Sequence, residues 1–236
     1  MRIAGIIGGI APSSTIAYYQ RIVDGVRTRT AEAAYPHVII NSINLRQMLP
    51  LFEAGDKAGA VSLLVGELHR LALAGADFAL FASNTPHLYF ADIAAASPLP
   101  LISIVEAVAA HAAQRGLRRL LLLGTGYTMR ASFYRTALAA SGTDVLVPSA
   151  SDIAMIHALY MSELVPGRYA SATRDAMLRV IRHAHEESRI DGVILGGTEL
   201  PLLFAMAEYR GLPLLDSTQI HVDRVIAEIG VGTDAC

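Results

Sequence analysis

Short, almost wholly apolar runs alternate along this chain with longer segments in which apolar residues recur every three or four positions. The runs at 2–7, 36–42, 78–82, 101–104, 119–123, 144–147, 192–195 and 213–215 are rich in Val, Ile and Leu. They lack the strict apolar–polar alternation of a strand with one wet face, so they read as buried parallel strands. The segments at 14–30, 57–73, 104–115, 129–140, 153–164, 170–188 and 220–229 carry helical spacing. Strands that alternate with helices of this length predict βαβ units, parallel sheets and an α/β fold.

The pattern also repeats. An apolar run at 3–7 leads through Gly8 and Gly9 to Thr15 and the pair Tyr18 and Tyr19, while the run at 120–123 leads through Gly124 to Thr128 and the pair Phe133 and Tyr134. Gly8 and Ser83 are 75 positions apart, and Gly124 and Gly197 are 73 apart. Two half-chains with the same landmarks in the same order predict two pseudo-symmetric, doubly wound domains. Pro98 and Pro100 interrupt the chain at a helix end and mark the boundary. A second strand-like entry at 212–218 is expected to return the chain to the first domain. The expected division is therefore 1–98 with 210–236, and 99–209. The strand-to-helix turns at 8–15, 83–87, 125–128 and 198–199 are expected to face a cleft between the domains, a preferred place for a small ligand.

Composition narrows the field. No uncharged apolar stretch reaches the ~18–20 residues of a membrane span, and the N-terminus lacks the apolar region of a signal peptide. A net charge of −2 offers no basic face for nucleic acid. Cys236 is the single cysteine, which excludes an internal disulfide, is expected to be frayed at the chain end, and points to the cytoplasm. Gly124 and Gly126 start a dinucleotide-like turn, but Met129 stands where the third glycine belongs. His183 and His185 lack metal-pair spacing, and no metal is expected.

Taken together, GGIAPSSTIAYY (8–19), SNTPH (83–87), ISIVEA (102–107), LLGTGYTM (122–129), FYRTAL (133–138), GGTELPLL (196–203) and LLDSTQIH (214–221) resemble the aspartate/glutamate racemase family over essentially the whole chain. The resemblance implies two α/β domains with the active site between them, a homodimer, a small carboxylate or acidic amino-acid substrate, and no pyridoxal phosphate or other cofactor. It also implies two cysteines, one before the Asn-Thr and one before the Thr-Glu, which exchange the α-proton on opposite faces of a planar carbanion. Ser83 and Gly197 occupy those positions here. Restoring both cysteines by Ser83→Cys with Gly197→Cys is the direct test that the resemblance suggests.

The candidate catalytic positions are thus Ser83 and Gly197, with His87 and Glu199 as replacement acid–base groups beside them. Ser13, Ser14, Thr15, Asn84, Thr85, Thr125, Thr128 and Thr198 are candidate donors to a substrate carboxylate, because hydroxyls and amides at helix starts stand beside free backbone N–H groups. Arg46 and Arg168 are candidate partners for a side-chain carboxylate. Three readings follow. The first is a racemase-family isomerase with replaced bases. The second is a decarboxylase, lyase or isomerase on the same scaffold, and the third is a non-catalytic carboxylate binder.

Overall fold

The computed structural model describes residues 1–30 and 34–230; Cys236 lies outside the described residues. The chain forms two compact units, Met1–Ser103 with the segment from His221, and Ile104–Ile220. The first unit begins β1 (Ala4–Gly8), α1 (Pro12–Arg29), β2 (Val38–Ser42), α2 (Leu45–Glu53) and α3 (Lys57–Leu73). It continues with β3 (Phe78–Phe81), a 3-10 turn (Thr85–Tyr89), α4 (Phe90–Ala96) and β4 (Leu101–Ile102). The second unit begins α5 (Ile104–Gln114), β5 (Arg119–Gly124), α6 (Gly126–Arg130), α7 (Phe133–Ala139) and β6 (Asp144–Leu146). Then come α8 (Ala150–Leu159), a π-helical turn (Tyr160–Leu164), α9 (Ser171–Ser188) and β7 (Gly192–Gly196). Among the described residues there follow α10 (Leu200–Phe204), β8 (Glu208–Tyr209), β9 (Leu212–Asp216) and α11 (Ser217–Ile229).

Each unit is an α/β sandwich on a parallel sheet, as the apolar runs predict. The strand orders are β2-β1-β3-β4 and β6-β5-β7-β9-β8, so β1, β2, β3 and β4 correspond to β5, β6, β7 and β9. The second sheet adds one antiparallel strand, β8, joined to β9 by a two-residue turn in which Arg210 (φ 52°) and Gly211 (φ 78°) are both left-handed. That is the geometry of a tight hairpin.

Alternate residues on each strand serve opposite faces. In the first unit Ala4, Ile6, Phe78 and Leu80 pack with Tyr18, Ile22 and Val26 of α1 and with Val222, Val225 and Ile226 of α11. Ile7, Ala79 and Phe81 turn the other way, onto Met48, Phe52, Leu64 and Leu68 of α2 and α3. The second unit repeats the scheme. Leu121, Leu123, Val193 and Leu195 pack with Ile156, Tyr160, Met177 and Ile181, while Leu120, Leu122 and Ile194 pack with Val108, Tyr134 and Leu138.

Three expectations change. The stretch 129–140 is two helices, because Met129 belongs to one face of the second sheet and Tyr134 to the other, and Ala131 (ψ 162°) makes the turn between them. The stretch 153–164 ends in the π-helical turn rather than continuing as α-helix. The unit boundaries fall after Ser103 and Ile220 instead of near 98 and 209. Strand β9 finds a parallel partner in β7, with Val193 opposite Leu214 and Ile194 opposite Leu215, and so stays in the second sheet. Only the later part of α11 returns to the first unit.

Candidate functional site

In each sheet the strand order reverses beside the first strand of the unit: β1 is followed on one side by β2 and on the other by β3, and β5 likewise by β6 and β7. Chain leaving the carboxyl ends of such neighbouring strands diverges and leaves a crevice, the usual ligand position in a parallel sheet. Gly8 and Ser83 leave β1 and β3 at one such point. Gly124 and Gly197 leave β5 and β7 at the other, where Gly124 and Gly196 are paired directly. The candidate residues therefore form two turn clusters, one in each unit.

In the first unit Ser83, Asn84, Thr85 and His87 are all buried in one turn after β3. His87 stacks on Phe90 with centroids 4.7 Å apart and meets Phe81 edge-on at 6.3 Å. Burial, reinforced by nearby His221, pushes its pKa down to about 3, so the ring is neutral near pH 7. A base this weak suits hydrogen bonding and stacking better than removal of an α-proton. Thr15 is committed to holding the turn together. Its Oγ1 accepts from Gly9 N at 2.9 Å and donates to the Ala11 carbonyl at 3.2 Å. Ser14 is buried, and the neighbouring Ser13 Oγ is buried with no hydrogen-bond partner among the described residues. Arg46 sits exposed in the first turn of α2 and is not part of the buried turn.

His221 lies near enough to His87 for the two rings to act on each other's charge. Its Nε2 donates to the Ile102 carbonyl at 3.0 Å, which fixes Nδ1 as an acceptor for the Tyr18 hydroxyl at 2.9 Å. The ring is fully buried, and burial lowers its pKa to about 4.

The second unit buries a carboxylate at the equivalent turn. Thr125 caps α6, with its hydroxyl 3.2 Å from that of Thr128 and accepting from the Thr128 N–H at 3.3 Å. After β7 the chain runs through Gly197 and Thr198 to Glu199, which is 3% exposed. Thr198 Oγ1 donates to both Glu199 carboxylate oxygens at 3.3 Å. The Tyr160 hydroxyl donates to Glu199 Oε2, and the Glu199 N–H points back at the same hydroxyl at 3.4 Å. Burial, then the charge of Glu199, raises the Tyr160 pKa well above its usual value, so the phenol keeps its proton. Arg168 is exposed and spends its guanidinium on the Ser162 carbonyl, away from this group.

Tyr160 is the residue that sequence reasoning missed, and Gly197 is the signal that could have found it. The Gly197 backbone does not need glycine for its conformation. It needs glycine for room, because a Cβ there would lie 2.8 Å from Tyr160 Cε2, 2.9 Å from Cζ and closer still to the hydroxyl. Tyr160 thus fills the space into which a side chain at 197 would project. The two-cysteine restoration is revised accordingly. Gly197→Cys alone is expected to overpack the site and destabilise the protein by about 1–3 kcal/mol, read as a lowered midpoint in urea. A wild-type midpoint would show that Tyr160 swings aside freely.

Comparison with known proteins agrees with this architecture. The sequence profile of the family described as Asp/Glu/Hydantoin racemase matches residues 7–225. The chain is 24% identical over 147 residues to the broad-specificity amino-acid racemase RacX of Bacillus subtilis (strain 168), a match over 60% of this chain and 63% of RacX. The chain thus spans less than two thirds of that relative. A crystal structure of a proposed Asp/Glu racemase from Yersinia pestis superposes with TM-score 0.85 at 33% identity, covering 97% of this chain and 99% of that one. An aspartate racemase homologue from Pyrococcus horikoshii OT3 gives 0.80 at 35% identity, with the same coverage of both. With its two largely parallel sheets, its glycine turns at the strand ends and this match over most of its length, the chain belongs to the Asp/Glu/Hydantoin racemase family.

Proposed function

We propose that the protein is an isomerase that moves the α-proton of a small carboxylate, an acidic amino acid foremost, without a cofactor and without thiols at positions 83 and 197. The observation that carries this reading is the buried Glu199 carboxylate, held by Thr198 and Tyr160 in the turn after β7. A carboxyl group withdrawn from water at the end of a parallel strand, and gripped by two hydroxyl donors, is the kind of group that concentrates at functional sites. Ser13, Asn84, Thr85, Thr125 and Thr128 supply hydroxyl and amide groups suited to a carboxylate. A cytoplasmic homodimer completes the reading.

The test is proton NMR of the purified protein with L- and D-aspartate and glutamate in D₂O. Loss of the α-proton signal, with no other new peak, is the expected result. New product peaks would instead identify a decarboxylase or lyase. A spectrum unchanged over a day with all four acids would overturn the proposal and leave a carboxylate binder.

A further inference from the structure

We infer that the Tyr160 hydroxyl, backed by Glu199, is the proton-transfer group of the second unit and stands in for the absent side chain at 197. The inference rests on the function proposed above and specifies which atoms perform it.

Three observations converge. A Cβ at Gly197 would fall against the ring and hydroxyl of Tyr160, so the hydroxyl occupies the place from which a residue at 197 would reach a ligand. The hydroxyl already donates a hydrogen bond to a carboxylate that is itself buried. The ring is held at the start of the π-helical turn, where the Val165 N–H bonds the Tyr160 carbonyl at 3.0 Å. Such wide turns recur at functional sites. Tyr160 is 2% exposed and Leu164 is fully buried, so the turn keeps both side chains in the interior.

The relay balances as follows. The Cα–H bond of the substrate breaks and its electron pair stays on the substrate as a carbanion, delocalised into the adjoining carboxylate. The departing proton bonds to Tyr160 Oη as the phenolic proton passes to Glu199 Oε2. Glu199 ends as a neutral acid, and Tyr160 remains a phenol throughout. A free phenolate, which burial and the neighbouring carboxylate both oppose, never forms. In reverse, Glu199 returns its proton through Tyr160 to Cα. Thr198, donating to both carboxylate oxygens at 3.3 Å, holds Glu199 in place through either step.

The test compares α-proton exchange into D₂O for the wild type, Tyr160→Phe, Glu199→Gln, Tyr160→Ala and the double variant Tyr160→Ala with Gly197→Cys, using the acid that the wild type exchanges fastest. Circular dichroism and melting temperature verify folding. Tyr160→Phe and Glu199→Gln are each expected to slow exchange at least ~100-fold. Glu199→Gln is expected to lower kcat while KM stays within about threefold of the wild type, a split that a purely structural role would not produce. Tyr160→Ala opens the space beside 197, so a cysteine placed there is expected to recover exchange that Tyr160→Ala alone lacks. If Tyr160→Phe does not fold, Glu199→Gln, of almost unchanged shape, carries the same reading. Folded Tyr160→Phe or Glu199→Gln protein within about threefold of the wild-type rate would overturn the inference and leave the proposed function standing. A silent wild type would remove both.

Discussion

Lowering the pH from 7 towards 4 is expected to strip most of the stability from this protein, through two histidines. His87 and His221 are 3% and 0% exposed, with pKa values lowered to about 3 and about 4 from 6.5 in an unfolded chain. Below pH 6.5 the unfolded chain takes up protons that the folded chain refuses until those lower values. Mass action therefore favours unfolding as pH falls, and the stability is fully present only above about pH 6.5–7. By pH 4 each histidine has removed roughly 3 kcal/mol, and for His87 the loss runs on towards pH 3. These are large against a total of about 5–15 kcal/mol. Urea midpoints measured from pH 7.5 to 4.5 are expected to fall with a slope of up to two protons. His221→Gln is expected to reduce the slope by about one proton while lowering stability at pH 7.5. A midpoint independent of pH across this range would contradict the burial of both imidazoles.

Gly9→Ala is expected to be among the most damaging single substitutions in the first unit. Gly9 sits at φ 79° immediately after β1, where an L side chain is strained by roughly 1–3 kcal/mol. Its added methyl would also lie 2.7 Å from Ile43 N and Ser42 Oγ and nearer still to the Ile43 carbonyl oxygen. Backbone cannot rotate away as a side-chain tip can. The Ile43 N–H is already committed to the Gly8 carbonyl at 2.9 Å, so relief would have to come from β2 shifting along the sheet. A loss of about 3 kcal/mol or more is expected from chemical denaturation. Gly55→Ala is the control. Gly55 has a similar φ of 67°, with nothing within 4 Å of an added methyl, so only the backbone strain is felt. Equal losses at the two positions would show that β2 yields without cost.

Much of this was legible in the sequence because the relevant signals are local. Val, Ile and Leu runs mark the strands of a doubly covered parallel sheet, and the change from them to Gly, Ser and Thr marks the strand ends at Gly8, Ser83, Gly124 and Gly197. What escaped depends on contacts between distant segments. Helix α2 has Pro50 in its interior, which argues against helix when read locally. Helices α4 and α10 are seven and five residues long, too short for periodicity to declare them. The β8–β9 hairpin turns through Arg210, which is not a residue that advertises a left-handed turn. Tyr160 lies within an apolar, helix-like stretch and reads as core. Only the packing shows that its hydroxyl meets Glu199, a partner 39 positions later. Arg46 and Arg168 show the converse: their position beside motif turns suggested ligands, but an arginine's long stem lets it settle on the surface or on a nearby carbonyl.

The last helix has a consequence for how the chain is made. The first unit needs Val222, Val225, Ile226 and Ile229 to cover one face of its sheet, and the Arg2 N–H bonds the Ile229 carbonyl at 2.9 Å. The second unit is one uninterrupted stretch, Ile104–Ile220. During vectorial synthesis the first unit's earlier part must therefore wait, with Ala4, Ile6, Phe78 and Leu80 incompletely covered, until residues 222–229 have emerged. The part made later can close at once. Birth order and folding order are reversed, and a nascent chain stalled before residue 221 would present one finished unit and one exposed, aggregation-prone sheet.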